Sequence, residues 1–322
     1  MATILVTGAA GFIGSTVSHA LLGRGDHVIG VDNLNDYYDV TLKAARLARL
    51  QAQKDFRFLK LDIADRDAML ALGGEKIDGI VHLAAQAGVR HSLTDPYTYV
   101  TSNVMGQTVM LELARKLKQL KHFVYASSSS VYGGNTKLPF SVEDPVEKPS
   151  SLYAATKRAC ELFAYSYAHL YGIPCTGLRF FTVYGPWGRP DMAAFIFARQ
   201  IIAGQPIKVF NRGEMHRDFT YIDDIVNGIV RVLDRPATGT PPQKLYNLGN
   251  HRSEKLTDFI GEIERALQRK AIVELEPMQA GDVAATFADI EASQADLGFE
   301  PTTPISVGIP KFIDWYKDYY GV

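Results

Sequence analysis

Thr3-Ile4-Leu5-Val6-Thr7-Gly8-Ala9-Ala10-Gly11-Phe12-Ile13-Gly14 is the stretch whose reading decides the fold. Its first five residues are a short apolar run of strand type. The run breaks into glycines spaced G-x-x-G-x-x-G, and residues 12–22 continue with helical periodicity. Glycines permit a tight turn and let a backbone approach a pyrophosphate. The helix that follows offers unpaired N–H groups and the positive end of its dipole. A glycine-rich run alone is a weak signal; its place between a strand and a helix is the context the motif demands.

Outward from this stretch the same alternation repeats. Residues 27–31, 56–59, 79–83 and 122–126 read as strands, with helical patterns over 40–53 and 97–118 between them. A helix over 152–171 and a strand over 175–180 extend the series. Apolar strands alternating with helices predict an α/β fold, a doubly wound parallel sheet covered on both faces. The regularity breaks after Gly185-Pro186, where Trp187-Gly188-Arg189-Pro190 reads as a loop. Asp223-Asp224 is expected to cap a helix over 225–233. Residues 1–180 are therefore read as a dinucleotide-binding domain, and 181–322 as a smaller mixed α/β lobe. The boundary is soft, and the lobe is free to lend a strand or helix to the first domain.

The 322 residues are 47% hydrophobic and 21% charged, with a formal net charge of −1. That balance gives no electrostatic reason to expect nucleic acid. Cys160 and Cys175 are too few for a disulfide framework, and no Cys/His metal spacing occurs, so no metal is expected. No apolar run reaches about 18 residues, the length of a membrane span. Met1-Ala2-Thr3 has no basic leader character. The expectation is a cytoplasmic protein with reduced thiols.

Asp32 ends the second strand, 18 residues after Gly14. A carboxylate there accepts hydrogen bonds from a ribose 2′-OH and repels a 2′-phosphate, which favours NAD over NADP. Asn33 is its neighbour. Asp62-Ile63, after the third strand, reads either as an adenine contact or as a helix cap at Asp62. The expected cofactor contacts are Gly8, Gly11, Phe12, Ile13, Gly14, Asp32, Asn33, Asp62, Ile63, Leu83, Ala84 and Ala85, joined by Tyr153 and Lys157.

Tyr153 and Lys157 form Tyr-x-x-x-Lys at the start of the helix over 152–171, on one helical face. An ammonium beside a phenol favours phenolate, a base able to take a proton from a sugar hydroxyl. The motif gains weight from the serine run Ser127-Ser128-Ser129-Ser130 at the end of the fifth strand. Ligands in such sheets bind at the carboxyl ends of strands.

Segments 32–40 (DNLNDYYDV), 82–92 (HLAAQAGVRHS), 125–136 (YASSSSVYGGNT), 151–157 (SLYAATK), 178–192 (LRFFTVYGPWGRPDM) and 217–224 (RDFTYIDD) complete the picture. Together they resemble the extended short-chain dehydrogenase/reductase family across essentially the whole chain. The likeness is strongest to its nucleotide-sugar epimerases, and among these to the branch acting on UDP-glucuronic acid. It implies a Rossmann-like fold, tightly held NAD, and reversible oxidation at C4 to give UDP-galacturonic acid. Tyr153 would take the C4 hydroxyl proton, supported by Lys157 and relayed by Ser128. Related dehydratases carry Thr-Asp-Glu at positions 128–130, and related decarboxylases a glutamate at 130; here all three are serine.

The resemblance also proposes substrate contacts. Arg189 is read as a bidentate grip on the sugar carboxylate, or as the ion-pair partner of Asp191. Thr182, Ser129 and Ser130 add hydroxyls near that carboxylate. Arg90 serves either the carboxylate or the diphosphate. Arg217 matches a phosphate-contacting arginine, Asp282 would accept a ribose hydroxyl, and Phe210 either stacks on uracil or belongs to the core. Galactose epimerases carry arginine where this chain has Gln279, which throws more phosphate charge onto Arg217. His82 is read as a satisfied buried histidine, His216 as solvent-facing, and Tyr37-Tyr38 as covering the adenine side. Relatives pair two helices per subunit, here 97–118 and 152–171, so a homodimer is expected. UDP-glucuronate decarboxylation, neutral-hexose epimerisation and catalytically silent dinucleotide binding stay open as alternatives.

Overall fold

The computed structural model describes residues 1–278 and 283–322. The chain opens with β1 (Thr3–Thr7), α1 (Phe12–Gly23), β2 (His27–Asp32), α2 (Val40–Gln51), β3 (Phe56–Lys60), α3 (Arg66–Leu70) and β4 (Gly79–His82). α4 (Pro96–Tyr99), a π-helical stretch (Val100–Met105) and α5 (Gly106–Lys116) follow in one run, where the sequence suggests a single helix. β5 (His122–Ser128), α6 (Leu152–Tyr171) and β6 (Cys175–Phe180) complete the first half.

These strands lie in the order β3-β2-β1-β4-β5-β6, and every pairing is parallel. Neighbouring residues of each strand point to opposite faces. Ile4 and Val6 of β1, with Val81 and Val124, enter one core; Leu5, Ile80, Phe123 and Tyr125 enter the other. Each fully buried aliphatic or phenylalanine side chain among these contributes roughly 1.5–3 kcal/mol relative to exposure. Both faces are therefore closed, and the carboxyl ends of the strands remain the open edge. The strand order reverses between β1 and β4, which places a crevice there.

The second half supplies β7 (Thr182–Tyr184), α7 (Ala193–Ile202), β8 (Ile207–Val209), β9 (His216–Arg217), β10 (Phe219–Tyr221) and α8 (Ile222–Leu233). β11 (Gln243–Leu248), β12 (Glu254–Lys255), α9 (Leu256–Leu267), β13 (Val273–Leu275), α10 (Glu291–Leu297) and α11 (Ile305–Tyr320) follow. Its short strands pair as β7–β10, β8–β13 and β9–β12. β11 instead joins β6 as the seventh parallel strand of the main sheet. One continuous core holds Val6 and Val124 together with Ile229 of α8 and Phe259 of α9. The division at residue 180 thus separates sequence regions and not cores.

The helix expected from 225 starts at Ile222, so Asp223 and Asp224 lie in its first turn instead of capping it. They still suit the positive end of the dipole. Asp224 accepts from the backbone of Thr302 and Thr303, which fixes the chain before α11.

Candidate active site

The glycine turn shows why its residues are small. Gly8 has φ +72°, and a Cβ on Gly14 would lie 2.0 Å from the Gly8 carbonyl oxygen. The first turn of α1 therefore packs directly on the turn, and it carries no acidic residue to repel an anion. Gly8 N–H donates to the Val31 carbonyl at 2.8 Å, which ties the turn to the end of β2. Asp32 accepts from the backbone N–H groups of Ala10 (3.1 Å) and Leu34 (2.8 Å), so its carboxylate sits beside the turn and lines the cleft. These features fit a dinucleotide: a cradle without side chains, exposed helix amides and a carboxylate for ribose.

Asn33 donates to Asp62 at 2.8 Å, joining the ends of β2 and β3 beside the cleft. Asp62 also accepts from Ala64 N–H at 2.8 Å, an Asx turn. The helix cap considered for it is Asp65, which accepts from Ala68 N–H. Phe12, Ile13, Ile63, Leu83, Ala84 and Ala85 line the same cleft, and Phe12 also roots α1 in the core. Thr7 Oγ1 accepts from Ala84 N–H and is hydrogen-bonded to His82 Nδ1 at 2.7 Å, a clasp across the crevice. Burial, with Lys157 nearby, pushes His82 down to about 3, so the ring is neutral.

The cleft has a volume of about 1040 Å³ and holds Tyr153, Lys157 and Ser128 in its wall. Tyr153 stands in the first turn of α6, which Ser151 caps by accepting from Ala154 N–H. Lys157, one turn further on, is buried and donates from Nζ to the Ala126 carbonyl at 3.0 Å. Ser128 accepts from Ser130 N–H and donates to Ser130 Oγ, both at 3.1 Å. Half-buried Ser129 and Ser130 line the cleft beside it. The expected catalytic residues are thus brought together at the carboxyl end of β5.

Beneath them lies an ion pair that the motifs do not announce. Arg179 of β6 donates from Nε and Nη2 to Glu161 of α6 at 2.9 and 3.0 Å, with both side chains 1% exposed. Ser127 donates to the same carboxylate at 2.7 Å, and Arg158 caps it at 2.9 Å. Burial alone would raise Glu161, but the Arg179 guanidinium more than offsets this and holds the carboxyl below its usual range. Glu161 follows Lys157 by one helical turn, a spacing that gives the only sequence hint of it.

Asn103 is a second residue the motifs miss. It lies in the π-helical stretch, a distortion frequent at functional sites. Its side chain accepts from Gln86 N–H at 2.8 Å and donates to the Gln86 carbonyl and to Thr156 Oγ1, both at 3.0 Å. It therefore pins the loop after β4 to α6 between Tyr153 and Lys157. Tyr99 is a third, edge-on to Tyr153 with centroids 6.1 Å apart.

The opposite wall comes from the second half. Thr182 begins β7, Arg189 follows in the loop, and Phe210 and Arg217 stand further along; all four line the cleft. Arg189 adopts the ion pair considered for it, giving Nε and Nη2 to Asp191 at 3.0 and 2.5 Å. Burial would raise Asp191, but Arg189 outweighs it and keeps the carboxyl low. Phe210 is half-buried and not in the core; the Arg90 guanidinium lies 5.0 Å over its ring. Arg217 Nη1 donates to the carbonyls of His216 and Ala284. His216 is half-buried instead of solvent-facing, since β9 pairs with β12. Tyr37 donates to Asp191 at 3.2 Å and so faces the second half as well as the cofactor side. Asp282 and Gln279 lie outside the described residues.

A doubly wound sheet with a dinucleotide cradle and a Tyr–Lys pair above one shared cleft defines a nucleotide-dependent enzyme class. The chain belongs to the NAD dependent epimerase/dehydratase family, whose model matches residues 4–249. It is 48% identical to UDP-glucuronate 4-epimerase 4 of Arabidopsis thaliana, over 99% of this chain and 76% of that one. It is 45% identical to the probable UDP-glucuronate 4-epimerase of Rhizobium meliloti, over 98% and 97% of the two chains. Among solved structures, UDP-glucuronic acid 4-epimerase from Bacillus cereus in complex with UDP-glucuronic acid and NAD superposes with a TM-score of 0.92. The identity is 36%, over 99% of this chain and 100% of that one.

Proposed function

We propose that this chain interconverts UDP-glucuronic acid and UDP-galacturonic acid by inverting C4. The observation that carries this is the cleft itself. Tyr153, Lys157 and Ser128 share one cleft with the glycine turn and Arg189, with hydroxyls instead of carboxyls at 129 and 130. The Bacillus cereus relative binds both UDP-glucuronic acid and NAD, which supports the same ligands here. When bound, NAD supplies a reversible oxidant for C4, which opens the route through a 4-keto sugar.

The residues then divide the work. Gly8, Gly11 and Gly14 admit the pyrophosphate to the α1 amides, and Asp32 accepts from the ribose. Tyr153 takes and returns the O4 proton, with Ser128 hydrogen-bonded to the same oxygen. Lys157 fixes a positive charge one helical turn away and is itself held by Ala126. Arg189 and Thr182 hold the sugar carboxylate, with Arg189 anchored through Nε and Nη2 to Asp191. A 4-keto glucuronate is a β-keto acid and loses carbon dioxide when its carboxylate C–C bond aligns with the ketone π system. A guanidinium that fixes the carboxylate plane prevents that alignment. Arg90, Phe210 and Arg217 receive the uridine diphosphate end, with Asp282 completing it.

A second copy of the chain covers α4, the π-helical stretch and α6. Tyr97, Val100, Met105, Leu162 and Tyr165 are all about half exposed or more there, an apolar area that supports a homodimer. Light scattering is expected to give twice the 35.6 kDa chain mass; a monomer mass contradicts it. Among the described residues no helix is long and apolar enough to cross a membrane. Cys160 and Cys175 are buried free thiols, in keeping with a cytoplasmic enzyme.

Proton NMR of the purified protein with UDP-glucuronic acid tests the reaction. UDP-galacturonic acid should appear until the two sugars reach comparable amounts. A pentose nucleotide with carbon dioxide assigns decarboxylation instead. Turnover of UDP-glucose alone assigns neutral-hexose epimerisation, and no turnover leaves dinucleotide binding.

A further inference from the structure

Arg46 of α2 is wholly buried, yet its hydrogen bonds all go to uncharged oxygens. A buried guanidinium is costly unless its donors are satisfied, so their targets show what it is for. Nη1 donates to the Ala10 carbonyl in the glycine turn (3.2 Å) and to the Tyr38 hydroxyl (2.9 Å). Nε and Nη2 both donate to the Trp187 carbonyl, at 3.0 and 2.6 Å, and Nη2 also reaches the Gly188 carbonyl at 2.8 Å. One side chain therefore ties the cofactor turn to the loop that precedes Arg189. Trp187 holds φ +62°, a left-handed conformation unfavourable for a bulky residue, and it is the carbonyl Arg46 grips twice.

The far side of Arg189 is held from the same segment. Asp191 pairs bidentately with Arg189, and its Oδ2 also accepts from Tyr37 at 3.2 Å. Tyr37 is itself braced: its ring lies 4.9 Å from that of His91, and a Cβ on Gly88 would meet its hydroxyl at 2.8 Å. The loop carrying Arg189 is thus clamped before it by Arg46 and after it by Tyr37. Both clamps belong to the chain between β2 and the end of α2.

We infer that Arg46 and Tyr37 are specificity-determining positioning residues, which set the guanidinium of Arg189 and so the preference for a carboxylated sugar. The inference rests on the reading of Arg189 as the carboxylate contact. It makes substrate choice depend on the cofactor side of the molecule. A purely structural role for either residue would weaken all substrates together.

The test compares holoenzymes of the wild type, Tyr37→Phe, Arg46→Met, Arg46→Lys and Arg189→Met. The readouts are KM for UDP-glucuronic acid, Ki for UDP-glucose as competitor, and the fraction of pentose nucleotide formed. Arg189→Met should raise KM at least tenfold while Ki changes about twofold or less, a selective loss of at least about fivefold, roughly 1 kcal/mol. Tyr37→Phe should raise KM by about three- to tenfold with the same split, as one hydrogen bond is removed. Arg46→Met should exceed it, Arg46→Lys should recover part of the loss, and the pentose fraction should rise in both KM-impaired series. If KM and Ki move together in Tyr37→Phe, or neither moves, the inference is wrong; this variant decides should Arg46→Met not fold. If Arg189→Met itself shows no split, the carboxylate reading fails and the inference falls with it. If Arg189→Met shows the split and Tyr37→Phe does not, the inference alone is overturned.

Discussion

The two walls of the cleft are built on different physics. The wall before residue 180 stands on strands of four to seven residues and on α6, twenty residues long. The opposite wall stands on strands of two or three residues, β7 to β10 with β12 and β13. Long elements carry their own periodicity and bury a whole face, so local pattern dictates them. Two-residue strands exist only because a distant partner pairs with them, as β9 does with β12. The first wall is a scaffold to which chemistry is attached. The second is a set of loops held in place by individual polar ties, among them Arg46 to Trp187 and Asp218 to Asn250.

The largest effect should come from the scaffold's chemical group. Tyr153→Phe should lower turnover by ~10³, within the range for losing a positioned general base, while cofactor content and melting temperature stay near wild type. A loss of only a few-fold would move the proton-transfer role to another residue. Next is the ion pair under the serine run. Arg179→Met leaves Glu161 buried with only Arg158 and Ser127 as partners, which should cost about 3 kcal/mol in urea unfolding. A cost below about 1 kcal/mol would mean water reaches the pair, and the scaffold is looser than its burial indicates.

His122 joins the two regions, with Nε2 2.8 Å from Thr176 Oγ1 on β6 and Nδ1 3.3 Å from the Leu233 carbonyl on α8. Burial pushes it down to about 4 from an ordinary 6.5. Between those values the unfolded chain binds a proton that the native chain does not. Stability should therefore fall as pH drops from about 6.5 to about 4, by up to about 3 kcal/mol from this group. Urea melts across that range, repeated on His122→Gln, should show a shallower fall in the variant. Equal slopes would remove His122 from the acid response.

The smallest effect tests the loop wall. Asp218 accepts from Asn250 N–H (2.6 Å), Thr220 Oγ1 (2.9 Å) and Ala288 N–H (3.2 Å), next to Arg217. Asp218→Asn turns an amide donor towards one of these donors and should cost about 1–3 kcal/mol. KM for UDP-glucuronic acid should rise while bound NAD is unchanged. Loss of NAD from this variant would show that the walls are not separable in this way.

This asymmetry also sets what the sequence discloses. The glycine turn, Asp32, Tyr153, Lys157 and the serine run are local signals on long elements, and the fold follows from them. The seventh strand is not such a signal, because β11 becomes parallel to β6 only through a connection running through the whole of β7 to α8. Thr182, Arg189, Phe210 and Arg217 sit on loops whose course depends on distant ties, so resemblance and not periodicity points to them. Glu161, Arg179, Asn103 and Arg46 are hidden for another reason. Each is a polar residue inside an apolar pattern, and only the folded chain reveals which buried partner satisfies it.

The central claim is reversible oxidation at C4 with the cofactor retained. The most direct measurement is epimerisation of UDP-glucuronic acid carrying deuterium at C4, in ordinary water without added NAD, followed by NMR and mass spectrometry of the product. UDP-galacturonic acid that keeps its deuterium at C4 is expected, because the hydrogen leaves and returns within one closed site. Product that has exchanged deuterium for solvent hydrogen, or a requirement for added NAD at every turnover, would contradict it.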